Sequence, residues 1–390
     1  MLDIHTKCGG TLVAHVRVLG SRAIVAAAVA SLPAAAMAQT VAAPGGGSDR
    51  AIDYANARPM ALPMAAVPPP SLLEVLLSGQ AQGVDTGEPA VTPGRPGNGR
   101  KTPVRLVAPV ATPAAADGPA APQEFGTSGQ PYTTSRVNLL NDFTADQYPY
   151  SAVGKLFFNV GASTNVCSGA LIRRGVVVTA AHCVANFGAR QFYGNWRFVP
   201  AYNNGTAPYG TWTAASVRVL TSYFAGTDSC ATRGVICQND VAVIRLNPQG
   251  GAFPGARTGT LGYGINGYSY NGSGQVLVKQ LGYPVALDRG ALMQQTDSQG
   301  FTSASLSNNT IIGSLQTGGS SGGPWVVNFG LAPALSGSAF GTAAARNIVV
   351  GVTSWGYTNT AIKQQGASRF TGTNVQALLN AECSAGPAAC

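Results

Sequence analysis

The segment TGGSSGGPW, from Thr317 to Trp325, combines two serines, four glycines and a proline directly before an apolar run. A flexible linker of this composition would be longer and would join polar segments. A serine hydroxyl becomes an effective nucleophile only when a neighbouring base accepts its proton, and glycines let the backbone turn sharply beside it. The segment therefore predicts a loop that presents Ser321 as a nucleophile, with the amide N–H groups of Gly319 and Ser321 facing a developing oxyanion.

The base for such a serine would be an imidazole, which accepts and returns protons near neutral pH. The chain has three histidines, His5, His15 and His182, and the first two lie in an N-terminal segment with the features of an export signal. His182 follows an apolar strand-like run in TAAHCV. We therefore predict that His182 is the general base.

A catalytic imidazole needs a carboxylate that fixes its tautomer and stabilises the imidazolium. Asp240 directly opens the apolar run VAVIRL, whereas Asp228 precedes Cys230 in sequence typical of a surface loop. The pattern predicts Asp240 as the orienting carboxylate, with Asp228 as the alternative.

The same serine loop also matches G-x-S-x-G from Gly319 to Gly323, the nucleophile elbow of α/β-hydrolases. In that fold the histidine follows the serine, but no histidine follows Ser321 in this chain. The sequence also lacks an alternating strand–helix pattern. A lipase or esterase of that fold is therefore not expected.

The elements that would position these residues have the pattern of β-strands. From about residue 147 onward, short apolar or alternating runs are separated by glycine, asparagine and proline, which is typical of an all-β sandwich or barrel. The runs are VGKLFFNV, VCSGALI, GVVVTAA, DVAVIRL, QVLVKQL, NTIIGSL, PWVVNF and NIVVGVTSW. Only NVQALLNAE, near the C-terminus, suggests a helix.

The chain divides into three regions. Residues 1–38 have basic residues, then an apolar run and an Ala-Met-Ala cleavage pattern, which predicts a signal peptide and secretion to the periplasm or the extracellular space. Residues 39–135 are rich in alanine, proline and glycine, which predicts a largely disordered leader or pro-segment. Within it, Ser71 and Glu74 have the spacing of a capping box and predict a short helix. Residues 136–390 form the predicted functional domain.

Charge and cysteine content narrow the class of protein. The net charge of +9 comes from residues 151–390, which carry fourteen basic and five acidic side chains, yet no basic cluster alternates with aromatic residues as nucleic-acid binding would require. No segment after the signal is apolar and long enough for stable membrane insertion. Six cysteines follow the signal, and an even number in an exported chain predicts disulfides. Fifteen pairings are conceivable. Close spacing favours two local loops, between Cys230 and Cys237 and between Cys383 and Cys390, which leaves Cys167 and Cys183 as the third pair.

Five blocks of sequence resemble the chymotrypsin-fold serine proteases of the trypsin-like superfamily. They are CSGALI, TAAHC, NDVAVIRL, GGSSGGP and TSWG, in that order over residues 148–390. The order His182, Asp240, Ser321 is also that of chymotrypsin-type proteases. The resemblance implies two six-stranded antiparallel β-barrels with the active site in the cleft between them, and a Cys167–Cys183 disulfide.

The resemblance also implies where a substrate would bind. The residues Ser354, Trp355 and Gly356 would pair with the substrate backbone as an added antiparallel strand. Ser354 would in addition support the Asp240 carboxylate.

Departures from the family pattern bear on specificity and activation. Leu315 stands where trypsin has an acidic residue at the base of its primary pocket, so cleavage after arginine or lysine is not expected. Ser320 replaces the acidic residue that pairs with a freed N-terminus in trypsin. The segment from Thr317 to Gly319 resembles the bacterial glutamyl-endopeptidase branch, yet Thr353 replaces the histidine that reads an acidic side chain there. We therefore predict preference for a small or apolar side chain.

Together these patterns predict a secreted serine endopeptidase that acts on proteins or peptides through an acyl-enzyme. No metal or organic cofactor is implied. The leader would include a pro-segment removed on maturation, which could act as an intramolecular inhibitor. The alternative from another class is a protease-fold binding module without catalysis, which labelling of Ser321 would distinguish.

Overall fold

The structure is a computed structural model that describes residues 38–46, 50–71, 87–110, 124–125, 130–138, 143–307, 309–330 and 345–390. The predicted signal peptide, except for Ala38, and the helix predicted to begin at Ser71 lie outside these ranges. Within the ranges, no helix has the length and hydropathy that a membrane crossing requires.

The first barrel is a closed six-stranded antiparallel sheet. Its strands follow the spatial order β5-β4-β1-β2-β3-β6, and pairing of β5 with β6 closes it. Apolar side chains such as Phe157, Val177 and Trp196 are fully buried in one core cluster. The strands are β1 Val153–Val160, β2 Ser163–Arg173, β3 Val176–Thr179, β4 Gly194–Pro200, β5 Trp212–Leu220 and β6 Ala242–Leu246.

The second barrel has the same construction. Its strands follow the order β7-β10-β11-β12-β9-β8, and pairing of β7 with β8 closes it. The prediction of two six-stranded antiparallel barrels is therefore confirmed. The strands are β7 Gln275–Gly282, β8 Gln294–Ser303, β9 Asn309–Gly313, β10 Pro324–Val327, β11 Ile348–Tyr357 and β12 Gln364–Arg369.

Short elements connect and flank the barrels. Helices α1 and α2 have only one turn each, whereas α3 forms the C-terminal helix that the sequence predicted. Their bounds are α1 Thr221–Ala225, α2 Gly255–Thr258 and α3 Val375–Ala385. The 3₁₀ turns are Thr144–Asp146, Tyr150–Ala152, Ala181–Cys183, Asp288–Gly290 and Pro387–Ala389. The short strands outside the leader are Ala185–Asn186, Gln191–Phe192, Thr206–Ala207, Cys230–Thr232, Val235–Cys237 and Gly262–Ile265.

Helix α3 is fastened to the first barrel by a buried carboxylate. Glu382 has no exposed side-chain surface and accepts hydrogen bonds from Arg218 Nε and Arg245 Nε, each at 2.8 Å, and from Ser216 Oγ. Burial alone would raise the pKa of Glu382, but the hydrogen bonds from Ser216, Arg245 and Arg218 outweigh it and lower the pKa below its ordinary value. The charge therefore stays on the carboxylate and pairs with two cations.

Three disulfides form within the domain. The pairs are Cys167–Cys183, Cys230–Cys237 and Cys383–Cys390. The two local loops favoured by spacing and the pair implied by the resemblance are therefore confirmed. The first of these bonds ties β2 to the turn that carries His182.

The described parts of the leader contain short strands, several of which pair with strands of the two barrels. Such pairing uses backbone N–H and C=O groups and depends little on composition. The prediction of a largely disordered segment also covers residues outside the described ranges, so it stays a prediction. The strands of the leader are Thr40–Pro44, Arg58–Pro59, Met64–Ala65, Ala90–Thr92, Val104–Arg105, Glu124–Phe125 and Pro131–Arg136.

Candidate active site

The structure brings the predicted base and carboxylate together through strand pairing in the first barrel. His182 lies in the 3₁₀ turn that directly follows β3, and Asp240 lies two residues before β6. Strands β3 and β6 are antiparallel neighbours, with Thr179 opposite Ala242. The C-terminal end of β3 and the N-terminal end of β6 therefore meet, and both side chains lie at that end of the barrel.

Asp240 holds His182 at two points. One carboxylate oxygen accepts the His182 backbone N–H at 2.8 Å, and the other lies 2.7 Å from His182 Nδ1. Both residues are buried, with 5% of His182 and 2% of Asp240 exposed. With Nδ1 donating to the carboxylate, Nε2 is the nitrogen left to accept a proton.

Further groups fix the carboxylate. Ser354 Oγ donates to Asp240 Oδ2 at 2.6 Å, as the resemblance implied, and Ser368 Oγ accepts from the Asp240 backbone N–H at 3.2 Å. Burial and the nearby Asp240 charge raise the pKa of Tyr193 to about 12. Tyr193 therefore stays neutral and adds no second negative charge to this end of the barrel.

The predicted nucleophile lies on the loop between β9 and β10, against the same end of the first barrel. The Ser321 carbonyl accepts from the Ser168 N–H at 2.7 Å, and Gly322 N–H donates to Thr353 O at 2.8 Å. Gly322 has φ of +76°, and a Cβ there would lie 2.0 Å from Thr179 Oγ1. The loop thus packs on the residues that lead directly into His182.

The reactive atoms of this pair are shut off from solvent. Ser321 has no exposed surface, and its Oγ has no hydrogen-bond partner. His182 Nε2 is likewise buried without a partner. No hydrogen bond therefore joins Ser321 Oγ to His182 Nε2 in this structure.

The backbone before Ser321 has the form of an anion site. Gly319 has φ of +97°, and its carbonyl accepts from Ser168 Oγ at 2.8 Å. Among the described residues, none accepts a hydrogen bond from the amide N–H of Gly319 or of Ser321. These two N–H groups are therefore available to an oxygen of a bound substrate.

A pocket opens beside this loop, and it contains some of the predicted binding residues. Leu315, Thr317, Gly318 and Gly356 line it. Thr353 and Trp355 lie deeper, because both are fully buried. The hydroxyl of Thr353 accepts hydrogen bonds from Gln280 Nε2 and Trp325 Nε1, both at 2.9 Å, so this residue does not face a substrate directly.

Several contributing residues were not singled out from the sequence. Ser168 links three parts of the site, because its hydroxyl also accepts the Tyr283 N–H at 3.0 Å. Thr179 Oγ1 donates to Ser168 O at 2.8 Å. Ser168 belongs to the CSGALI block, so its position in that block was the available signal.

Asp228, the alternative carboxylate, has a different role. It accepts hydrogen bonds from the Asn239 backbone N–H at 2.9 Å and from Asn239 Nδ2 at 2.6 Å. Burial raises its pKa, although those two bonds act in the opposite direction. It shapes the loop that leads into Asp240, and no hydrogen bond joins it to His182 among the described contacts.

Two groups of side chains have the residue types of a metal site. They are Cys167, His182 and Cys183, and Asp228, Cys230 and Cys237. Every cysteine in them is in a disulfide, whereas zinc binds the free thiolate. Within the part of the chain described, neither group therefore has the ligands for a zinc site.

Comparison with known proteins gives one family and several solved structures. The trypsin family model matches residues 141–377. Protease Anisep from Arthrobacter nicotinovorans is 26% identical, with 60% of this chain and 96% of that chain aligned at a TM-score of 0.47. The thermostable serine protease AL20, from an extremophilic microorganism, is 24% identical, with 59% of this chain and 96% of that chain aligned at a TM-score of 0.46. A Glu endopeptidase in complex with MPD is 20% identical, with 64% of this chain and 96% of that chain aligned at a TM-score of 0.44. No curated protein sequence matches significantly.

Proposed function

The chain belongs to the trypsin family of chymotrypsin-fold serine proteases, and from this premise we propose that it is a secreted serine endopeptidase with Ser321 as nucleophile. The observation that carries the proposal is the 2.7 Å contact between Asp240 Oδ2 and His182 Nδ1. Because Nδ1 pairs with the carboxylate, Nε2, which is buried and unpaired, is the ring nitrogen that can accept a proton.

The reaction uses these residues in sequence. Ser321 Oγ attacks the carbonyl carbon of the scissile peptide bond while His182 Nε2 takes the hydroxyl proton. The tetrahedral intermediate then collapses, the C–N bond breaks, and His182 returns the proton to the leaving amine. Water attacks the resulting ester by the same route and releases the acid and free Ser321.

The amides of Gly319 and Ser321 stabilise the oxyanion of each intermediate. Each such donor is typically worth about 2.7–4 kcal/mol of transition-state stabilisation. The bond from Ser168 Oγ to Gly319 O supports this role because it holds the neighbouring peptide group in a fixed orientation.

The pocket lined by Leu315 and Gly356 would take the side chain that precedes the scissile bond. Leu315 makes part of its wall apolar, and none of its residues among those described is acidic. Both observations favour a small or apolar side chain over arginine or lysine. Three disulfides support secretion, since such bonds persist in oxidising compartments.

The test is covalent labelling of the secreted protein with a fluorophosphonate, located by mass spectrometry. The label should attach to Ser321 and be lost in Ser321→Ala and His182→Ala, and peptide hydrolysis should disappear with it. The exposed Ser273→Ala variant is the control and should keep both. A processed, folded protein that neither labels nor hydrolyses peptides would instead support the binding-module alternative.

A further inference from the structure

A segment of the leader passes across the candidate active site from β2 of the first barrel to β11 of the second. Arg58–Pro59 pairs with Asn165–Val166 of β2, and Met60 N–H donates to Val166 O at 2.9 Å. Met64–Ala65 then pairs with Gly356–Tyr357 of β11. The segment from Arg58 to Ala65, here the crossing strand, thus spans from the neighbour of Cys167 to the rim of the pocket.

The contacts of the crossing strand are backbone bonds reinforced by the buried side chain of Leu62, whereas Met64 is 43% exposed. Gly356 N–H donates to Pro63 O and Thr358 N–H to Ala65 O, each at 3.0 Å. Leu62 and Met64 line the pocket, and Leu62 is only 8% exposed. The strand therefore uses the hydrogen-bonding edge and the pocket that a substrate would need.

The crossing strand also covers the deeper wall of the site. Ala65 is 2% exposed and packs in one apolar cluster with Trp355 and Tyr357. Between its two ends, Met60 O and Pro59 Cβ lie close to Gly318, 3.4 Å from the position of a Cβ there. Gly318 directly precedes the proposed oxyanion residue Gly319, so the strand passes over the reactive loop.

The direction of the crossing strand is opposite to that of a substrate. A substrate acylates Ser321 with its N-terminal part, whose last side chain fills the pocket at Leu315 and Gly356, and its C-terminal part leaves on the Val166 side. The crossing strand has its N-terminal end at Val166 and its C-terminal end at Gly356. Both of its pairings are parallel, whereas the substrate strand is expected to be antiparallel to β11.

We propose that residues 58–65 are an autoinhibitory strand that occupies the substrate cleft in reverse, with Leu62 against the wall of the specificity pocket. This proposal rests on the proposed function, because it takes the same cleft as the site of peptide binding. It adds an inhibitor of defined sequence and direction.

Reversal makes the strand a poor substrate. Productive cleavage requires the leaving nitrogen on the same side as His182, which must protonate it. In a reversed peptide the carbonyl carbon of each bond lies on the Val166 side and the nitrogen on the pocket side. Ser321 therefore meets no bond in the orientation that His182 can complete, and the strand inhibits without being cut.

The first experiment compares the full chain, checked by intact mass, with Leu62→Asp and a matched control, Val104→Asp. Val104 also lies in a short leader strand and is 48% exposed, but it pairs with Thr206–Ala207 away from the cleft. The buried Leu62 side chain helps to hold the crossing strand in the cleft, and aspartate at this position should weaken that binding. Leu62→Asp should therefore hydrolyse an apolar p-nitroanilide peptide about tenfold to a hundredfold faster than the unmodified chain. Val104→Asp should match the unmodified chain.

A second experiment does not depend on activity. In a Ser321→Ala full chain, the backbone amides of Gly356 and Thr358 should be protected from hydrogen exchange, because they donate to the crossing strand. Leu62→Asp in that background should remove the protection, whereas Val104→Asp should keep it. Fast exchange of both amides in the Ser321→Ala chain would overturn the proposal even if the folded protein shows no hydrolysis.

The outcomes separate the two proposals. A full chain that hydrolyses the peptide as fast as Leu62→Asp leaves the protease function intact and overturns autoinhibition. Protected amides in the full chain, together with no labelling at Ser321 in Leu62→Asp, overturn the protease function and leave a strand bound in an inactive cleft, so the inhibitory role fails too. A cut within residues 58–65 that depends on Ser321 would overturn the reversed direction.

Discussion

Asp240 binds both the backbone and the ring of His182, at 2.8 Å from the main-chain nitrogen and 2.7 Å from Nδ1. An amide in place of the carboxylate would keep the shape but present a donor to one of these nitrogens, which disfavours the tautomer with a free Nε2. Asp240→Asn should therefore reduce kcat on the order of 10⁴-fold, as the same substitution does in a related triad. Steady-state kinetics on a peptide substrate, with Leu62→Asp in both proteins, measure the effect.

The matched control for that substitution is Asp228→Asn. Asp228 is half-buried and lies in the same connection, but it bonds to Asn239 rather than to His182. Asp228→Asn should keep kcat within a few-fold and lower the unfolding midpoint instead. A larger kcat loss for Asp228→Asn than for Asp240→Asn would make our assignment of the carboxylate wrong.

We expect Ser168 to position the proposed oxyanion site. Its hydroxyl donates to Gly319 O at 2.8 Å and accepts from Tyr283 N–H at 3.0 Å. Ser168→Ala frees the peptide group before Ser320 and should lower kcat about tenfold to a hundredfold, less than loss of a whole oxyanion donor. KM should change little, because the pocket at Leu315 is untouched. A variant with unchanged kcat and only a lower unfolding midpoint would show that Ser168 is merely structural.

The sequence was informative about the barrels because each strand has its own short apolar or alternating run. The runs that contain Phe157 and Trp355 become β1 and β11, and His182 and Asp240, from two of the blocks, come into contact. These features depend on short patterns that one stretch of residues carries by itself.

The strands of the leader and the residues that support the site, such as Ser168, were not predictable in the same way. Arg58–Pro59 and Met64–Ala65 become strands only because edges of β2 and β11 accept them, and nothing in their own composition predicts this. The contacts of Ser168 with Gly319 join residues 151 positions apart. Such pairings are properties of the tertiary fold and leave no local periodicity in the sequence.

Glu382 should determine how firmly helix α3 is held. Glu382→Gln leaves Arg218 and Arg245 side by side without their anion, and should lower the free energy of unfolding by roughly 1–3 kcal/mol, less than for a fully buried pair because both arginines are partly exposed. Since the folded-state pKa of Glu382 is lowered, its contribution is present above its ordinary pKa and is lost as pH falls through the folded value. The difference between the two proteins should therefore shrink below about pH 4.

Denaturant unfolding in a Ser321→Ala background, which prevents autolysis, measures this difference. The control is Asp297→Asn. It removes the ion pair between Asp297 and Lys279, in which the Asp297 side chain is 54% exposed. It should change the free energy of unfolding by less than about 1 kcal/mol. Equal effects of the two substitutions would contradict the assigned role of Glu382.

Lys155 should make stability rise with pH in the neutral to alkaline range. Its ammonium donates to Gly290 O at 2.8 Å and lies over the Tyr202 ring, but no carboxylate pairs with it among the described residues, and burial lowers its pKa to about 7. In the unfolded chain the group keeps its ordinary pKa of 10.5. Between these values the unfolded chain binds one more proton, so the free energy of unfolding should increase by up to about 1.4 kcal/mol per pH unit.

Lys155→Met should remove this slope, whereas Lys101→Met, at a side chain that is 37% exposed, should keep it. Urea unfolding of the three proteins at pH 7, 8 and 9 in the Ser321→Ala background tests this, and parallel slopes for all three would show that Lys155 does not titrate in the folded state.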